Sequence, residues 1–140
     1  MPIDRFLVDT SVWIFALRRD PIPSIRERIG RLLNANAVLI TRIIQLEILG
    51  GARTEREFHR LKSLLDALDR VEAERPVWER AYGLAFTLKR KGITVPYTDI
   101  LIAACAMASG STLVHADAHF DLMSEHVDLQ VESLVAEVQN

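Results

Sequence analysis

Two short runs, AVLI at 37–40 and RFLV at 5–8 after its opening arginine, are continuously apolar and do not alternate with polar residues. A strand with one wet face alternates, whereas a strand buried on both faces does not. Continuous runs of this length, separated by helical segments, demand a parallel sheet covered on both sides. TLVH (112–115) predicts a further strand, and VEA (71–73) and LQV (129–131) predict two short ones, which makes four to five in all. Between them, helices are expected over 11–18, 24–35, 42–52, 54–69, 76–91, 98–109 and 118–125. Asp20-Pro21-Ile22-Pro23 breaks the first pair. Thr41 is placed to cap the third, and Gly50-Gly51 to end it. The run 54–69 carries Phe58, Leu61, Leu64, Leu65 and Leu68 on one stripe, expected to lie mostly in the core.

The 140 residues suit a single domain spanning 1–140, and 49% hydrophobic content is globular. No apolar stretch reaches the roughly 18 residues that a membrane span needs. Asp4, Arg5 and Asp9 interrupt the apolar N-terminus, so it reads as part of the fold and not as a signal peptide. One cysteine, Cys105, allows no internal disulfide and suits a reducing cytoplasm. The net charge of −2 gives no overall pull towards a polyanion, but its distribution is uneven. Residues 1–62 hold 11 Lys and Arg against 7 Asp and Glu, whereas residues 63–140 hold 6 against 12. A nucleic acid would therefore approach the N-terminal half.

Acids fall at the ends of the expected strands. Asp9 follows RFLV directly, Asp117 follows TLVH after one spacer, and Asp99 opens a helix that is apolar on every side. Ligands of doubly wound sheets sit beyond the carboxyl ends of the strands. At about 100° per residue, Glu47 falls inside the arc of Ile43, Ile44, Leu46 and Ile48, and is expected to face the sheet near the same edge. Each of the three aspartates also reads as a helix cap or first-turn acid. A buried carboxylate without a partner is costly, however, and the helix 99–108 contains no Lys or Arg. A divalent cation with a preference for oxygen, Mg²⁺ or Mn²⁺, resolves four converging carboxylates. Such a cation activates water and offsets charge building on a phosphate.

Other chemistries fit less well. His115 and His119 are four apart, but no second His or Cys pair supports zinc. Nothing local activates Cys105. There is no GxxxxGK[ST], and no GxGxxG after a strand. Trp13 and Trp78 are expected in the core. Arg42 and Arg53 flank the Glu47 helix, and Arg42 is the better candidate for contact with a phosphate.

V-D-T-S-V near the start, Q-L-E-I-L-G-G, Y-T-D-I-L-I-A-A and L-V-H-A-D-A-H-F, in this order, resemble the PIN domain, and within it the VapC toxins of toxin–antitoxin pairs. The resemblance spans nearly the whole chain. It implies a three-layer α/β/α sandwich and a Mg²⁺- or Mn²⁺-dependent endoribonuclease in the cytoplasm. Asp9, Glu47, Asp99 and Asp117 fall on the family's four acidic positions, with Asp121 one helical turn beyond the fourth. Thr10, Ser11 and Thr98 stand beside them and would orient ligands or water. The resemblance also implies RNA as substrate, a homodimer, and a VapB-type antitoxin that blocks the site. The rival reading is a non-catalytic PIN-like module that binds nucleic acid or protein.

Overall fold

The computed structural model describes residues 4–139. The expected domain 1–140 also includes residues 1–3 and 140, which lie outside the described residues. Five parallel strands form the centre: β1 (Phe6–Val8), β2 (Val38–Thr41), β3 (Asp69–Val71), β4 (Thr112–His115) and β5 (Val131–Ser133). Their order in the sheet is β3-β2-β1-β4-β5. The helices are α1 (Thr10–Leu17), α2 (Pro23–Asn34), α3 (Arg42–Gly50), α4 (Glu55–Asp66), α5 (Arg75–Arg90), α6 (Tyr97–Ser109), α7 (Ala118–Ser124) and α8 (Val135–Val138). They flank the sheet as the outer layers of an α/β/α sandwich.

The continuous apolar runs become the inner strands. All four residues of β2 are buried, as are Leu7 and Val8 of β1 and Leu113 to His115 of β4. Trp13, Phe120, Ile102 and Met123 from the helices are fully buried. Each such side chain contributes about 1.5–3 kcal/mol of burial. Thr41 caps α3 by accepting from the Ile44 N–H at 3.2 Å. Pro23 occupies the first turn of α2, where its missing N–H is harmless. Gly110 ends α6 at φ +65°, a left-handed turn that delivers the chain into β4.

The edges differ from expectation. β3 lies two residues before 71–73, and β5 two residues after 129–131. Their registers are set by pairing: Asp69 aligns with Leu39, and Val131 with Leu113. The helix α8 is not evident in the sequence pattern. Helix α6 starts at Tyr97, with Pro96 at its cap position, so Thr98 lies inside the first turn. Trp13 is buried as expected, but Trp78 is 43% exposed and forms an outward stripe with Tyr82 and Phe86.

The topology carries a functional consequence. From β1 the chain builds outward through β2 to β3, then crosses back and adds β4 on the other flank of β1. The strand order therefore reverses between β1 and β4, and the crevice beyond their carboxyl ends is the natural ligand position. Asp9 and Asp117 stand there.

Candidate metal centre

Asp9 leaves β1 as the cap of α1. Its Oδ2 accepts from the Ser11 N–H at 3.0 Å and from Ser11 Oγ at 2.6 Å. Ser11 Oγ in turn accepts the Ala116 N–H at 3.0 Å. The Asp9 N–H continues the ladder to the Val114 carbonyl at 2.9 Å. One serine thus ties the loop after β1 to the loop after β4 and fixes the Asp9 carboxylate between them. Burial holds the Asp9 carboxyl above its ordinary range; the Ser11 and backbone hydrogen bonds oppose this, and the Asp117 charge adds to it.

Asp99 sits in the first turn of α6 with a mostly buried side chain. Its carboxyl is pushed up to about 6, chiefly by burial, with the charges of Asp9 and Asp117 adding and His119 opposing. Asp117 caps α7, accepting the His119 N–H at 2.9 Å. The capping and cluster roles therefore coincide in Asp9 and Asp117. Among the described residues, no Lys or Arg forms an ion pair with Asp9, Asp99 or Asp117; the one basic partner of Asp99 and Asp117 is a histidine.

That histidine is the residue the sequence pattern missed. His119 Nδ1 lies 3.1 Å from Asp99 Oδ2 and 3.3 Å from Asp117 Oδ1. Ligand atoms of Asp99, Asp117 and His119 all fall within 4.8 Å of one another. His115, four residues earlier, takes no part in this group. His115 is fully buried against Phe120, its Nε2 3.2 Å from Asp121, and burial pushes its pKa down. Asp121 is turned to β5, where it accepts from Ser133 Oγ at 2.8 Å.

Glu47 departs from its expected setting. The buried face of α3 is Ile44, Gln45 and Ile48, while Leu46 is 66% exposed and Glu47 is exposed beside it. Gln45, a polar residue, takes the inward position instead, and its Nε2 donates to Asp66 at 2.7 Å. Glu47 is nevertheless tied to the acid corner: Thr10 Oγ1 donates to Glu47 Oε1 at 2.7 Å. Glu47 also borders an open groove of about 910 Å³ between α1, α3 and α4, with Trp13, Ile48 and Leu61 at its apolar lining and Arg18, Arg53 and Arg60 among its charges. Thr98 is exposed. Arg42 is exposed and gripped by Glu72 through two hydrogen bonds of 2.9 and 3.0 Å.

The donor set suits a hard divalent cation: carboxylate oxygens stand close together, and burial, with the neighbouring acids adding, makes Asp9 and Asp99 hold their protons more tightly than usual.

The profile of the PIN domain family matches residues 6–125. Ribonuclease VapC51 of Mycobacterium tuberculosis is 36% identical over 123 residues, covering 86% of this chain and 85% of the relative. Ribonuclease VapC11 of the same species is 33% identical over 132 residues, covering 91% and 97%. Among solved structures, DNA-bound VapBC from Salmonella typhimurium superposes with a TM-score of 0.78 at 24% identity, covering 94% of this chain and 98% of that one. The family match across most of the chain and the VapC relatives above 30% identity lead to one assignment: the chain belongs to the PIN domain family, within its VapC group.

Proposed function

We propose that this chain is a divalent-metal-dependent endoribonuclease of the toxin type, held in check by a VapB-type antitoxin. The observation that carries it is the cluster of Asp99, Asp117 and His119 at the switch point, with the Asp9 charge beside it and no Lys or Arg paired to these acids among the described residues. The names of the relatives, ribonucleases VapC51 and VapC11, support RNA as the substrate.

Asp9, Asp99 and Asp117 would hold the cation, Mg²⁺ or Mn²⁺, and Glu47 would complete the set from the rim. When bound, such an ion lowers the pKa of water and offsets the charge that builds on the phosphate oxygens. Ser11 fixes the orientation of Asp9, and Thr10 holds Glu47 towards the corner. Thr98, exposed in the turn that carries Asp99, would orient water. Asp121 is committed to Ser133 and serves the fold. Hydrolysis by activated water leaves a 5′-phosphate and a 3′-hydroxyl. Attack by the RNA's own 2′-hydroxyl wants a paired general base and acid, and the buried His115 cannot share that task with His119.

The groove beside Glu47, with an apolar floor and arginines at its walls, suits an antitoxin segment that mixes apolar and acidic residues. The outward stripe of Trp78, Tyr82 and Phe86 supports a homodimer through α5.

The test is cleavage of single-stranded RNA with Mg²⁺ or Mn²⁺, followed by mass spectrometry of the fragments. We expect 5′-phosphate ends and complete loss of activity in EDTA. A 2′,3′-cyclic phosphate, or full activity in EDTA, overturns the reading. Tight RNA binding without cleavage under any cation would favour the non-catalytic module.

A further inference from the structure

We propose that His119 is itself a ligand of the cation, and that its imidazole biases the site towards Mn²⁺ over Mg²⁺. The inference rests on the metal-dependent reading above and adds a nitrogen to what the sequence offered as an all-carboxylate site.

Geometry supports direct ligation. His119 Nδ1 faces two carboxylate oxygens at once, at 3.1 and 3.3 Å. The nitrogen carries at most one hydrogen, so it cannot donate a full hydrogen bond to both. Adjacent ligands of an octahedral ion with bonds of about 2.1 Å stand about 3.0 Å apart. The separations of Nδ1 from Asp99 and Asp117 are close to that edge length, and a common ion between the three donors needs little rearrangement. The backbone that carries the ring is held in place: His119 occupies the first turn of α7, where Asp117 accepts its N–H at 2.9 Å. The side chain is 45% exposed, so exchange with solvent ions is open.

The chemistry of the donor sets the preference. Mg²⁺ binds oxygen and parts reluctantly with its waters; Mn²⁺ also favours oxygen, but as a transition cation it gives up a water for an imidazole more easily than Mg²⁺ does. Mn²⁺ retains the affinity for carboxylates that Asp9, Asp99 and Asp117 require, and gains from the nitrogen. Replacing the imidazole by a carboxylate should move the site back towards Mg²⁺.

The experiment measures Mn²⁺ and Mg²⁺ binding calorimetrically to the full chain, wild type against His119→Ala and His119→Asp. Circular dichroism of the metal-free proteins serves as the check on folding. Electron-spin-echo spectra of bound Mn²⁺ are recorded on protein labelled with ¹⁵N-histidine. We expect wild type to favour Mn²⁺, His119→Ala to weaken Mn²⁺ by about tenfold or more with smaller change for Mg²⁺, and His119→Asp to lower the Mn²⁺/Mg²⁺ ratio. The ¹⁵N coupling should be present in wild type and absent from both variants. If His119→Ala does not fold, His119→Asp alone carries the comparison. Bound Mn²⁺ without ¹⁵N coupling, or an unchanged ratio in His119→Asp, overturns the inference and leaves the metal site standing. Equal tightening of both cations in His119→Ala also overturns it, because His119 would then be a competing positive group. Failure of wild type to bind either cation overturns the metal-dependent reading together with this one.

Discussion

Asp99 and Glu47 carry the same charge on neighbouring helices, yet they live in different solvents. Asp99 lies in the crevice at the β1–β4 switch, largely out of water and facing Asp9 and Asp117, and its carboxyl is pushed up to about 6. Glu47 stands on the exposed side of α3 at the lip of a groove and reaches the corner through the Thr10 hydroxyl. The corner stores electrostatic cost that a cation relieves. The rim stores little, and its contribution is positional. The two regions should therefore respond differently to the same removal of charge.

The largest contrast is expected in catalysis. Asp9→Asn and Asp99→Asn should each lower cleavage by about 10²–10³-fold or more with the fold intact by circular dichroism. Thr10→Val, which frees Glu47 without touching the corner, should cost nearer tenfold. Equal losses in RNA-cleavage assays would show that rim and corner act as one unit.

Stability should move next. A cation at a hundredfold excess over its Kd stabilises by about 2.7 kcal/mol, read as a rise in melting temperature that Asp99→Asn abolishes. In EDTA the same Asp99→Asn variant should melt higher than wild type, because it removes repulsion, whereas Glu47→Gln should leave the melting temperature unchanged. An Asp99→Asn protein less stable than wild type in EDTA would mean that the carboxylate serves α6 and not a cation.

The pH dependence follows from the same corner. Asp9 and Asp99 hold their protons more tightly folded than unfolded. Their contribution to metal-free stability is thus full below the ordinary carboxyl pKa of 3.8 and lost as pH rises through about 6 for Asp99. Melting in EDTA should fall between pH 4 and pH 7, and the fall should shrink in Asp99→Asn. Saturating cation should flatten or reverse the slope, since it binds the ionised form.

The smallest effect is expected at Arg42. Its guanidinium is already matched by Glu72 in an exposed pair, so Arg42→Ala should weaken RNA binding only slightly and shallow its salt dependence. Loss of cation affinity in Arg42→Ala would place that residue in the corner after all.

What the sequence revealed tracks what is fixed locally. The inner strands were legible because double burial leaves continuous apolar runs, and Asp9 and Asp117 because each follows such a run. The edge strands were misplaced by two residues because each is three residues long and takes its register from a neighbour. Glu47 was misjudged because a helical wheel reads residue type, while in the fold Gln45 takes an inward position with a hydrogen bond to Asp66 and Leu46 is left exposed. His119 was hidden because its partner Asp99 lies on another helix, and its spacing to His115 suggested a different pairing.

The parallel pairing of β1 with β4 joins Phe6 to Thr112, so most of the chain must be made before the two can meet. Such long-range closure is slow and comes late in folding. During synthesis, a chain that ends before β4 already contains Asp9, Glu47 and Asp99, but it lacks the strand that completes the crevice and the residue that closes it. Ser11 has no Ala116 to grip, and Asp9 has no counterpart across the gap. The corner that would hold the cation therefore cannot take shape until β4 and the residues that follow it have been made.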